Sequence, residues 1–164
     1  MVIILMGVSG AGKTTVGQLL ASQLGWAFAD ADDYHSATNV EKMRTGIPLT
    51  DADRAPWLAT LRSLIAGWIK AEKNAVLACS ALKHTYRETL QLSAEVKFVY
   101  LKGSPSLLHQ RLHSRPGHFM TEQMLASQLA ALEEPDDGVV IDVDASPAEI
   151  VAKIRTSIDS RRNS

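Results

Sequence analysis

Apolar residues along this chain fall into two rhythms. Short runs apolar on both faces occur at Val2–Met6, Ala75–Cys79, Val96–Leu101 and Val139–Val143, the last two interrupted only by Lys97 and Asp142. Runs without a polar face mark strands covered on both sides in a parallel sheet. A further short strand is expected around Trp26–Ala29. Helical spacing fills the intervals. Val16, Leu19, Leu20 and Leu24 form an i, i+3, i+4, i+8 stripe that Gly25 ends, and a short helix over Ser36–Thr45 stops at Gly46-Ile-Pro48. The clearest helix carries Trp57, Leu58, Leu61, Leu64, Ile65, Trp68 and Ile69 on one continuous apolar face, with Asp51 and Asp53 suited to its N-terminal end. Ser104-Pro105 and Ser146-Pro147-Ala-Glu149 read as helix starts, the second a capping box, and the last helix turns Ile150, Val151, Ile154 and Ile158 inward. The alternation predicts an α/β chain with about five strands in a βαβ-type parallel sheet and right-handed crossovers. Ligands of such sheets bind beyond the carboxyl ends of the strands, so the polar segments after each strand are the ones to inspect.

Composition narrows the class. A length of 164 residues suits one domain with a real core, and 46% apolar with 21% charged residues is ordinary for a soluble globular protein. A net charge of −1 gives no electrostatic reason to expect a nucleic acid or an anionic membrane as partner. The single cysteine, Cys79, excludes an internal disulfide and suits a reducing compartment; at the end of an apolar run it reads as a buried, inert thiol. The first apolar stretch has no basic region ahead of it and is too short for a signal peptide or membrane span, so a cytoplasmic location is expected.

The first strand runs into Gly7-x-x-x-x-Gly12-Lys13-Thr14, which fills every fixed position of the phosphate-binding loop pattern. Glycines let the backbone curl its N–H groups around an oxyanion, and the following helix adds the positive end of its dipole. Lys13 supplies a mobile cation for the outer phosphates, and the Thr14 hydroxyl can ligate Mg²⁺. Gly7, Val8, Ser9, Gly10, Ala11, Gly12, Lys13, Thr14 and Thr15 are therefore the expected nucleotide-binding residues.

Three later segments carry candidate chemistry. Asp30 and Asp32 follow the second strand, and a spacing of two would turn both carboxylates to one side of an extended segment. Phosphoryl transfer to a hydroxyl needs a carboxylate for the proton and anionic support for Mg²⁺; the alternative is that Asp30, Asp32 and Asp33 solvate a loop or cap the next helix. Lys83 and Arg87, four apart, would share a helical face and with Arg54 could hold an anionic acceptor, or they form an ordinary solvated face. The stretch Arg111-Leu-His-Ser-Arg115-Pro-Gly-His118 combines two arginines with a Pro-Gly break, as a phosphate-covering lid would, or as a helix ending in basic residues would. His113 and His118 have no convincing metal-ligand spacing with a cysteine or another histidine, so no zinc site is expected.

Taken in order, GVSGAGKTT (7–15), DADDYH (30–35), NVEKMRTGIPLTDADRAPWL (39–58), CSALKHTYR (79–87), YLKG (100–103), RLHSRPGHFM (111–120) and LEEP (132–135) span essentially the whole chain. On these residues it resembles the gluconate kinases of the P-loop small-molecule kinase group, close in architecture to shikimate and adenylate kinases. The resemblance implies a three-layer P-loop kinase fold in one domain over 1–164, with helices on both sheet faces and a small lid at about 111–120. It implies ATP-dependent, Mg²⁺-assisted phosphorylation of D-gluconate at its 6-hydroxyl, giving 6-phosphogluconate and ADP. Within it, Lys13 and Arg115 would act on the phosphates, Thr14 and Asp30 would support Mg²⁺, and Asp32 would face the acceptor hydroxyl. Arg54 would approach the substrate carboxylate, Lys83, Arg87 and His118 would be further substrate residues, and Arg111 with Arg115 would cover ATP. A homodimer follows from the same resemblance. One departure is visible: Cys79-Ser80 ends the third strand where wider P-loop families place a Walker-B aspartate, which throws more of the metal support onto Asp30. A kinase for another hydroxy acid or a nucleoside monophosphate is the competing enzyme. A non-catalytic ATP-binding module is the other alternative, and it would have no use for the aspartate pair or the cationic lid.

Overall fold

The computed structural model describes residues 1–114 and 122–163. Among them, five strands form one parallel sheet in the order β2-β3-β1-β4-β5. They are β1 (Val2–Met6), β2 (Ala27–Asp30), β3 (Ala75–Ala78), β4 (Val96–Lys102) and β5 (Val139–Asp142). The helices are α1 (Lys13–Leu24), α2 (Ala37–Arg44), α3 (Asp51–Lys70), α4 (His84–Leu90), α5 (Pro105–His113), α6 (Glu122–Ala131) and α7 (Pro147–Arg162).

The central strand explains the layering. β1 pairs with β3 from Val2↔Ala75 and with β4 through Met6↔Tyr100, and all its side chains are fully buried. Its alternation sends Ile3 and Leu5 to one face, where they meet Val16 and Leu20 of α1 and Ile150, Val151 and Ile154 of α7. Val2, Ile4 and Met6 go to the other face, against Trp57, Leu58, Leu61 and Ile65 of α3 and Tyr86 and Leu90 of α4. The apolar face expected on the long helix is thus the one that packs, each buried large side chain contributing ~1.5–3 kcal/mol. At its start Thr50 accepts from Asp53 N at 3.1 Å and Asp53 Oδ2 accepts from Thr50 N at 2.9 Å, a capping box that Lys42 of α2 braces at 2.9 Å from Asp53.

Two expectations need adjusting. β5 was expected to be covered on both faces, but it is an edge strand and leaves Val140 53% exposed. The second strand begins one residue later than expected and ends on Asp30 itself. No helix among the described residues is long and apolar enough to cross a membrane.

Candidate active site

All five strands run in one direction, so the loops after β1, β2 and β3 gather at one end of the sheet. There Gly7 turns the chain out of β1 with φ 149° and donates its N–H to Ser80 O at 3.2 Å. A Cβ on Gly7 would stand 2.8 Å from the Leu101 carbonyl oxygen, so the turn admits no side chain. Gly12 caps α1 in the left-handed region and no side chain caps the helix, leaving first-turn N–H groups for an anion. Lys13 Nζ lies along the loop, donating to Val8 O at 3.0 Å.

β2 delivers a carboxylate to the same place. Asp30 Oδ2 accepts from the Thr14 hydroxyl at 2.5 Å and Oδ1 accepts from Asp32 N at 3.0 Å. A hydroxyl and a carboxylate side by side at the loop are the hard oxygen donors that Mg²⁺ takes. The two aspartates do not share one side of an extended segment, because Asp32 lies in a 3-10 turn over Ala31–Tyr34 that Asp30 caps. The turn separates the tasks: Asp30 faces Thr14, whereas Asp32 lines the adjoining cavity with Lys13 and Ser9. Burial in that cleft pushes the Asp32 carboxyl above its ordinary value, Lys13 opposes the rise, and Asp30 and Asp33 add to it. A raised carboxyl is better suited to accept a proton from a hydroxyl.

The cavity measures about 370 Å³, room for a small molecule and not a macromolecule. Two cations, Arg54 and Lys83, and the Asp51 carboxylate also line it. Arg54 Nη1 donates to Tyr86 Oη at 3.3 Å, and Lys83 Nζ donates to the Asp51 carboxylate at 2.9 and 3.2 Å. Tyr86 also donates to Asp51, and both cations stand 5.7 Å from the Tyr86 ring centroid. Asp51 is held below its ordinary value by Tyr86 and then Lys83, and Lys83 is held above its own by Asp51.

Arg87 requires a correction. Lys83 is the N-cap of α4 and not part of a shared helical face, and the two side chains go separate ways. Arg87 is only 7% exposed; it donates to Ala81 O at 2.9 Å, Leu82 O at 3.2 Å and Glu133 O at 2.8 Å, tying α4 to the strand-end loops. Its guanidinium therefore belongs to the framework and not to the cavity. Arg111, in the last turn of α5, donates to Val143 O and lines a separate groove of about 640 Å³ with Gly12, Thr15, Asp144 and Pro147. Arg115 and His118, and with them most of the expected lid, lie outside the described residues. Cys79 is buried as expected, its thiol pushed up to about 12 by burial.

Two contributors were missed. His35 stacks on Trp57 with centroids 4.3 Å apart and planes 10° from parallel, and Trp57 Nε1 in turn donates to Ala31 O at 2.7 Å, pinning the turn that carries Asp32. Burial, then Arg54, lowers the His35 pKa to about 4, so a neutral imidazole lines the cavity. His35 closes the DADDYH segment (30–35), but a histidine after an acidic loop has no periodicity to mark it. The second is Gln128 of α6, whose Oε1 accepts from Ser9 N at 2.8 Å. The uninterrupted helix formers after Thr121, without Gly or Pro, were the available signal.

A phosphate loop set against a small acceptor cavity defines a small-molecule kinase of the P-loop class. The family model for shikimate kinases matches residues 9–159. The gluconokinase of Gluconobacter oxydans (strain 621H) is 52% identical over 82% of this chain and 76% of its own length. The thermoresistant gluconokinase of Escherichia coli (strain K12) is 41% identical over 92% of this chain and 89% of its own. Among solved structures, a gluconokinase from Sinorhizobium meliloti 1021 superimposes with a TM-score of 0.85 at 41% identity, over 99% of this chain and 96% of that one. The chain belongs to the gluconokinase family of P-loop kinases.

Proposed function

We propose that this chain transfers the γ-phosphoryl group of ATP to gluconate at its 6-hydroxyl. The observation that carries the reading is the cavity itself: Asp32 and Lys13 beside the phosphate loop share one small chamber with Arg54 and Lys83. Asp32 accepts or orients the hydroxyl proton, and Lys13 draws charge from the transferring phosphoryl group. Arg54 and Lys83 engage the substrate carboxylate, a contact for which a guanidinium and an ammonium are suited. Neutral His35 offers a hydrogen bond to a sugar hydroxyl. Thr14 and Asp30 would hold Mg²⁺, which neutralises charge on the outer phosphates when bound. The groove along Gly12, Thr15 and Arg111 takes the rest of the nucleotide. The roles that the resemblance gives Arg115 and His118 remain part of the proposal, as do a homodimeric assembly and a cytoplasmic location.

A coupled ADP-release assay tests the reading with ATP and Mg²⁺ against gluconate, shikimate, other sugar acids, AMP and CMP, with Lys13→Ala as blank. Release that depends on gluconate and is lost in the variant supports it. Release with a different acceptor alone would overturn the assignment of the cavity while leaving the phosphate loop intact. Light scattering on the purified chain separates monomer from dimer.

A further inference from the structure

A second cluster of donor groups lies away from Thr14 and Asp30. On α5, His109 and His113 are four residues apart and so lie on one helical face. The first residue of α6, Glu122, meets them. His113 Nε2 stands 2.7 Å from Glu122 Oε1, and His109 Nδ1 stands 3.6 Å from the same oxygen. The two imidazoles face each other with centroids 6.0 Å apart and planes 23° from parallel. One ligand atom from each of the three residues falls within 4.8 Å of the others.

We propose that His109, His113 and Glu122 bind a divalent transition-metal ion, Zn²⁺ being the best match, with solvent completing the shell. Two imidazoles four apart on a helix plus a carboxylate from another element form a recurrent zinc donor set. Metal–ligand bonds of ~2.0–2.2 Å around a tetrahedral ion place neighbouring donor atoms roughly 3.3–3.5 Å apart. The present separations straddle that value, and Glu122 and His113 are exposed enough to adjust by side-chain rotation. One Glu122 oxygen meets both imidazoles, so three donors of the types zinc takes converge on one point. Mg²⁺ is not the ion, because it favours oxygen donors and Thr14 with Asp30 supply those elsewhere. The expectation of no zinc site rested on the separations of His113 and His118 and overlooked the His109–His113 spacing and the carboxylate that the fold brings opposite.

The position gives the site a structural consequence. An ion there ties the last turn of α5 to the first turn of α6, and both helices touch the phosphate loop. The Leu108 carbonyl oxygen on α5 lies 3.1 Å from where a Cβ on Gly10 would stand, and Gln128 on α6 accepts from Ser9 N.

The test is calorimetric titration of the full chain with ZnCl₂ in excess Mg²⁺, which occupies oxygen-only sites. Melting curves are recorded with and without Zn²⁺. One saturable equivalent and a zinc-dependent rise in Tm are expected for the unmodified chain. His113→Ala and Glu122→Gln should each weaken Zn²⁺ by more than about tenfold and abolish the rise, with metal-free melting unchanged. His84→Ala, which removes an exposed histidine paired with Glu88 at 3.1 Å, should leave zinc binding intact. Absence of saturable binding, or equal affinity in the chain and the His113 and Glu122 variants, would overturn the proposal. If a variant melts lower without metal, Co²⁺ absorption at low temperature decides: a tetrahedral visible band in the unmodified chain and none in the variant supports the site, and the same spectrum in both removes it.

Discussion

His35 ties the acid stability of the fold to the wall of its cavity. Folding stacks the ring on Trp57, sets Asn39 Nδ2 3.4 Å from its Nδ1, and lowers its pKa from 6.5 to about 4 through burial and the Arg54 charge. The folded chain therefore resists a proton that the unfolded chain accepts. Stability from this ring is fully present above the unfolded value of 6.5, falls as pH drops below it, and stops falling once pH passes the folded value of about 4. At 1.36 kcal/mol per pKa unit the full effect is roughly 3 kcal/mol. Partial solvent access to the ring reduces this to roughly 1–2 kcal/mol. The assay is urea unfolding of the unmodified chain and of His35→Phe at a series of pH values from about 7.5 to about 4. Phenylalanine keeps an aromatic face for Trp57 and cannot titrate. Other groups titrate in both proteins, so the difference between their stabilities isolates the ring. That difference should shift by roughly 1–2 kcal/mol against the unmodified chain as pH falls through the window. Parallel pH profiles would refute the buried, neutral imidazole.

Three further outcomes follow from the site. Asp32→Asn should lower kcat by ~10²–10⁴ while ATP binding measured by calorimetry changes little; unchanged turnover removes Asp32 from the proton's path. Arg54→Ala should raise KM for gluconate and spare that for ATP, and an unaltered gluconate KM would reject the carboxylate contact. Arg87→Met should act on stability instead. It strips a donor from the Ala81, Leu82 and Glu133 carbonyls, so urea unfolding should show a loss of about 2–4 kcal/mol with gluconate KM unaffected in the folded enzyme.

Much of this architecture was legible because it depends on local rules. Apolar runs located every strand, and helical stripes, breakers and capping signals located α1, α2, α3, α5 and α7, whereas α4 was legible only as a possible face for Lys83 and Arg87 and α6 not at all. The loop motif located the phosphate site before any strand order was known. Asp30 and Asp32 do stand beside the loop, yet not in the extended geometry that was expected. Whether a residue after a strand stays extended or enters a 3-10 turn is decided by capping bonds and by Trp57 anchoring Ala31 from another helix. Arg87 failed for a related reason. A basic residue four positions from another has the same spacing whether it meets a ligand or three backbone carbonyls, and only tertiary packing distinguishes the two. His35, Gln128 and the His109–His113–Glu122 cluster draw their meaning from partners far along the chain or across a helix boundary, where sequence spacing carries little information.

The burial of Cys79 has a practical side. It is the chain's sole thiol, it is 1% exposed, and its pKa is held up to about 12. At neutral pH it offers almost no thiolate to a maleimide or an oxidant. The native protein is thus a silent background for cysteine-directed spectroscopy. A single handle introduced at an exposed position, Ser114→Cys at the end of α5 for instance, would carry a fluorophore or spin label whose signal comes from that position alone.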